Sequence, residues 1–147
     1  MTNIFLLDYA NRLKKWVELR THLSSDVELK QKCIEIDRFW QQAPSVDHYL
    51  HTDFIHEWPS PWQLINDNSY CYYARALGMI YTLILLGTKN LELVDATDDN
   101  SNDVVLVLVD NAKYVLNYWP ETVVNNDINN FVITKKHDIT PLYYKIG

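Results

Sequence analysis

The sequence predicts an α+β fold, with helices first and an antiparallel sheet after them. Apolar residues recur at helical spacing through the first half of the chain. Near Gly87 the period shortens from about 3.6 residues to two. Beyond it, β-branched and aromatic runs alternate with polar turns. Helices followed by strands mean α+β. The 147 residues are enough for one core, so a single domain over 1–147 is expected, with a helical N-terminal part (1–57) and a core (58–147).

Residues 3–22 place Phe5, Leu6, Tyr9, Leu13, Trp16 and Val17 on one helical stripe. Ser25 and Glu28 form a capping box for a second helix, "DVELKQKCIEIDRFWQQA", whose stripe is Leu29, Cys33, Ile36 and Trp40. Cys33 on that stripe reads as core filler. A loop over 43–59 carries aromatics, prolines and the grouped His48, His51 and His56. "SPWQLIND" is a short helix, with Ser60 as cap, Pro61 at the first helical position and Gln63 closing the box. The next helix opens at Cys71 after "NDNS", carries Ala74, Leu77, Ile80, Tyr81 and Ile84, and stops at Gly87.

Strands follow. "NLELVDA" is one; "DVVLVLV", the turn "DNA" and "KYVLNYW" make a hairpin. "NNFVITKKHDI" and "PLYYKIG" supply one or two more, and the last is an apolar edge through which two copies could pair. "DATDDNSND" is a polar loop; it lacks the glycine and terminal glutamate of a calcium loop.

Composition narrows the function. The formal net charge is −6, which disfavours nucleic acid, whose phosphates need a basic face. No apolar run reaches membrane-spanning length and no secretory leader is read at the N-terminus, so a soluble, cytoplasmic protein is expected. Two cysteines do not make a disulfide scaffold. Metal-ligand spacing is missing, the three loop histidines read as solvated, and no cofactor is expected. Tyr70, Tyr72, Tyr73 and Tyr81, with Trp58 and Trp62, surround the start of the Cys71 helix. They serve either as core or as a groove for a peptide-like ligand or protein partner.

A cysteine opening a central helix has a chemical meaning. Thiolate is the reactive form, and the unpaired N–H groups of a helix start favour it. A cysteine hydrolase also needs a nearby imidazole and a group to orient it. The ordered segments Trp58-Pro59-Ser60-Pro61, Cys71-Tyr72-Tyr73-Ala74, Asp103-Val104-Val105-Leu106-Val107 and Tyr114-Val115-Leu116-Asn117 resemble motifs of the transglutaminase-like branch of the papain-type cysteine hydrolase fold, notably the bacterial transglutaminase-like cysteine proteinases. There "W-x-(S/T)-P" and "C-x-x-Y-A" precede strands reading "H-A-V-L-V-V" and "Y-V-L-D-N". The resemblance covers roughly residues 58–125 and implies Cys71, Asp103 and Asn117 at the three catalytic positions. An asparagine- and tyrosine-rich makeup is similar to that of small tailed-phage proteins, an analogy only.

The departures matter. Asp103 (or Asn102, if the register slips by one) stands where the family carries histidine, and Asn117 where it carries aspartate. An amide can orient an imidazole. An aspartate with an ordinary pKa near ~3.9 is too weak a base for a thiol, and its charge disfavours thiolate. The implied function is therefore a catalytically inactive domain kept as a binding or structural module. The alternatives are an active thiol hydrolase or amidase with His137 or His56 as relocated base, and an interaction protein using the aromatic loop at 43–62.

Overall fold

A computed structural model describes residues 3–24, 26–46, 49–118 and 123–146. The fold is α+β. Helices α1 (Tyr9–Leu23), α2 (Leu29–Gln41), α3 (Pro61–Asp67) and α4 (Tyr72–Leu85) precede strands β1 (Leu91–Thr97), β2 (Asp103–Val109), β3 (Tyr114–Leu116) and β4 (Val132–His137), and a one-turn helix α5 (Thr140–Tyr143) follows. The sheet is antiparallel, in the order β3-β2-β1-β4.

Helix α4 sits at the centre because its sequence is apolar on nearly every side, and Ala74 through Leu83 are all buried. It packs on α2 and on β2. Gly87, in the left-handed region at φ 81°, ends it: Gly87 N–H donates to Ile84 O and Thr88 N–H to Leu83 O, the paired bonds of a Schellman stop. Helix α3 begins as its sequence dictates, with both bonds of the Ser60–Gln63 capping box present. One face of the sheet (Leu91, Leu93, Val105, Val107, Val109, Leu116) packs on the helices. Val94, Ala96, Leu106, Leu108 and Val115 form a second, smaller core under Phe131 on the other face.

Several sequence expectations are corrected. The first helix is broken: a 3₁₀ turn at Ile4–Leu6 ends before Asp8 caps α1, which takes Leu6 out of register and leaves it 79% exposed. Val17 is exposed as well. Helix α2 starts three residues later than expected, with Glu28 as its cap and no side-chain cap bond; Ser25 lies outside the described residues. The segment Thr52–Glu57 makes 3₁₀ turns on either side of a kink at Phe54 and is not an extended loop. The β1–β2 loop is shorter than read, because Asp95–Thr97 and Asp103 belong to the strands.

The hairpin return ends at Leu116; Trp119 lies outside the described residues. The segment "PLYYKI" is not a strand. Asp138 accepts from Thr140 N–H, Pro141 lacks a ladder donor, and Leu142 is buried as α5 turns. The segment therefore offers no edge strand through which two copies could pair. The sheet edges are the three-residue β3 and β4, where exposed Lys135 and Lys136 discourage pairing. Among the described residues no helix is long and apolar enough to cross a membrane.

Candidate functional site

Cys71 is the N-cap of α4, in extended conformation, and is 3% exposed. Its surroundings are phenolic. Tyr49, whose hydroxyl donates to the Ser69 carbonyl, is pushed up to about 12, first by burial and then by the nearby Cys71 and Asp67. Tyr73, in the first turn of α4, is also raised, by burial and by its bond to Asp95. No hydrogen bond joins the Cys71 sulfur to an imidazole among the described residues.

Each of the two candidate bases has a carboxylate neighbour. His56 is exposed, 3.9 Å from Glu57 Oε1. His137, with a side chain 2% exposed, ends β4, and its Nε2 stands 3.0 Å from Asp95 Oδ1. That same oxygen accepts the Tyr73 hydroxyl at 2.6 Å, and the Tyr73 and His137 rings meet edge to face. Strand β1 thus holds a carboxylate between an imidazole and a phenol that belongs to the Cys71 helix. His56 and His137 share the wall of a small cleft of about 230 Å³ with Lys135, Lys136 and Asp138. His48 lies outside the described residues.

Asp103 and Asn117 both stand in the wall of a larger cavity of about 840 Å³. They are not cross-strand partners. Asp103 pairs with Thr97 in β1, and the β2–β3 ladder covers only Val107–Val109 with Tyr114–Leu116. Continued alternation would send Asn117 to the far face, because Leu116 already faces the helices. Its left-handed backbone (φ 73°) turns it back instead. There Nδ2 donates to Val105 O (2.9 Å) and Tyr72 O (3.2 Å), and the backbone N–H donates to Asp37 Oδ1 at 2.8 Å. Asn117 therefore ties the sheet to the first turn of α4 and to α2. Asp37 is buried, which raises its carboxyl pKa, although the Asn117 and Gln41 bonds pull the other way.

The cavity is polar and includes Tyr72 and Arg75 from α4, Gln41 from the end of α2, Ser45, and the β1–β2 loop. Asp98 folds that loop by accepting from Asn100 N–H, Asn102 N–H and the Tyr118 hydroxyl. Those bonds, Tyr118's foremost, hold its pKa below the usual carboxylate range. Asn102 lines the mouth beside Asp103.

Arg75 was not anticipated. It is only 9% exposed, and burial lowers its pKa. Its Nη2 donates to Ala43 O and Ser45 Oγ, its Nε has no acceptor, and no carboxylate lies within ion-pair distance among the described residues. The signal was present: an arginine in "YARALGMIY", a helix apolar all round, has nowhere to go but the interior. Gln41 offers none, since an amide at a helix end is ordinary. Its buried Oε1 nonetheless lacks a donor.

The aromatic residues divide between the two roles left open. Trp58, Tyr70 and Tyr81 are core, their polar atoms bonded to the carbonyls of His51, Leu64 and Pro59. Tyr72 and Trp62 are exposed. Cys33 is fully buried, and burial pushes its thiol up to about 12. Among the described residues no group of three or more His, Cys, Asp or Glu side chains is arranged to hold a metal ion. No known protein family matches the chain, and comparison with curated proteins finds no match.

Proposed function

We propose that this protein is a catalytically inactive binding module on a transglutaminase-like layout, and that the cavity beside the first turn of α4 receives its ligand. One observation carries the reading: thiol and cavity are separate. Cys71 is buried and is not part of the cavity wall, whereas Asp103 and Asn117, at the positions of the family's histidine and aspartate, are. A nucleophile needs a route to substrate and a base within about 3 to 4 Å. The residues around Cys71 instead bury it among phenols that take no proton at neutral pH.

A second reading has an observation in its favour. His137 Nε2 stands 3.0 Å from Asp95 Oδ1 without a hydrogen bond between them, and both residues touch Tyr73, two residues from Cys71. This would be the relocated base of an active thiol hydrolase.

Alkylation by iodoacetamide across pH, in a Cys33→Ala background, separates the two. The module reading expects Cys71 to react no faster at pH 6 than a free thiol, and Cys71→Ala to leave ligand binding intact. A rate plateau below pH 7 that vanishes in His137→Gln, together with turnover of amide substrates, would replace it with the hydrolase.

A further inference from the structure

The geometry points to a ligand carrying a carboxylate next to an N–H donor, as at the C-terminus of a peptide, seated on Arg75 and Gln41; we propose this class for the cavity. The inference rests on the binding-module reading and specifies its ligand. A guanidinium has five N–H donors in a planar fork and stays charged in proteins. Arg75 commits only Nη2, to Ala43 O and Ser45 Oγ, and that fixes the plane of the group. Its Nε is buried without an acceptor, and the group stands in the cavity wall with no carboxylate paired to it among the described residues. A buried charge without a counterion is costly, and a bidentate carboxylate is the partner that best matches its geometry.

The rest of the wall narrows the anion. Asp98 and Asp103 stand in the lining, and the whole chain is at −6, so a phosphate dianion or a polyanion meets repulsion that a single carboxylate largely avoids. Gln41 Oε1 has no donor, while its Nε2 is held by Asp37 Oδ1 at 3.4 Å. An acceptor fixed in this way asks for an N–H, and the amide nearest a peptide's terminal carboxylate carries one. Tyr72, 66% exposed, offers an aromatic face at the rim for the preceding residue. A volume of about 840 Å³ is in the range of small-ligand sites.

The test uses the full-length protein and ligand-observed NMR with three probes: a pool of N-acetyl dipeptide acids, the same pool as C-terminal amides, and inorganic phosphate. A matched N-acetyl tetrapeptide acid pool asks whether a longer chain end or a free acyl amino acid is preferred. Acids should bind, and amides should be at least about tenfold weaker, as expected for loss of a charge-assisted bond. Arg75→Gln should abolish the difference between acids and amides. Because Arg75 also ties down the Ala43 carbonyl, Gln41→Leu is the second variant; it should keep the fold and weaken the acids about fivefold, the loss of one neutral hydrogen bond. Acids and amides binding equally, phosphate competing as well as the acids, or no binding by either pool would each overturn the ligand assignment. In those cases the module reading stands, provided Cys71 shows no turnover. Cys71-dependent cleavage of a pool would overturn the module reading itself.

Discussion

The two ends of α4 follow opposite rules. Toward its C-terminal half the space is filled and both buried indoles are paired, although Arg20 Nε, stacked over Trp16, has no partner. The Trp16 and Trp40 indoles both donate to Thr82 Oγ1, at 2.9 and 3.1 Å, and the Thr82 hydroxyl donates back to Gly78 O at 2.7 Å. Gly78 leaves room for the Trp40 ring to lie against the helix, and Phe5, Phe39 and Tyr70 pack edge-on or tilted around that ring. At the N-terminal end the guanidinium of Arg75 has unfilled donors, Gln41 Oε1 lacks a partner, Asn117 takes a left-handed backbone, and a carboxylate is buried at Asp37. One end is built for stability. The other leaves buried polar atoms open, which a fold tolerates mainly where something is to be bound.

The largest effect should come from the packed end. A Cβ on Gly78 would lie 2.5 Å from Trp40 Cε3. The indole is pinned by its bond to Thr82, so it has little freedom to yield. Alanine's helix propensity returns only about 1 kcal/mol. Gly78→Ala should therefore destabilise by about 3 kcal/mol or more, at the top of the overpacking range. Denaturant unfolding measures it; a loss below about 1 kcal/mol would mean that this end is not tightly packed.

Thr82→Val comes next. It removes the acceptor shared by two buried indole N–H groups while keeping the volume nearly unchanged. About 2 kcal/mol should be lost, since each stranded donor costs on the order of 1 to 3 kcal/mol before relaxation. Thr82→Ser keeps the hydroxyl and should recover most of that loss. If serine and valine cost the same, the hydroxyl is irrelevant and the paired network carries no weight.

The same contrast shows what was legible in the sequence. The packed end was: the stripe Cys33, Ile36 and Trp40, the capping box at Ser60 and the Gly87 stop are local patterns, and they fold as they read. Strand identity was legible up to Leu116 because alternation is also local. "PLYYKIG" misled because its apolar content suits a strand while Asp138 and Pro141 start a helix. The candidate site was half visible. Asp103 and Asn117 are singled out only by a resemblance, and the backbone turn that brings Asn117 to the cavity has no pattern of its own. Gln41 and Ser45 come from distant segments and meet Arg75 only in three dimensions.

The smallest effect, and the one most specific to the open end, concerns Asp37. Its folded pKa lies above the ordinary value, chiefly because burial disfavours the charge. In the interval between the unfolded and folded pKa the native state binds more protons than the unfolded chain, so stability falls as pH rises through that interval. Above the folded pKa the full cost of the buried charge is present; below the unfolded value, near ~3.9, it is absent. The hydrogen bonds from Asn117 N–H and Gln41 Nε2 offset part of that cost at neutral pH. Asp37→Asn keeps an oxygen to accept the Asn117 N–H and removes the charge, so at pH 7 its stability should lie within about 1 kcal/mol of wild type. The variant should lose the fall in stability on raising pH above about 4 that Asp37 contributes. Unfolding free energies of both proteins at pH 4.5 and 7 provide the measurement. If wild type gains stability relative to Asp37→Asn as pH rises, the carboxylate is a net stabiliser, and the open end of α4 is as well satisfied as the packed one.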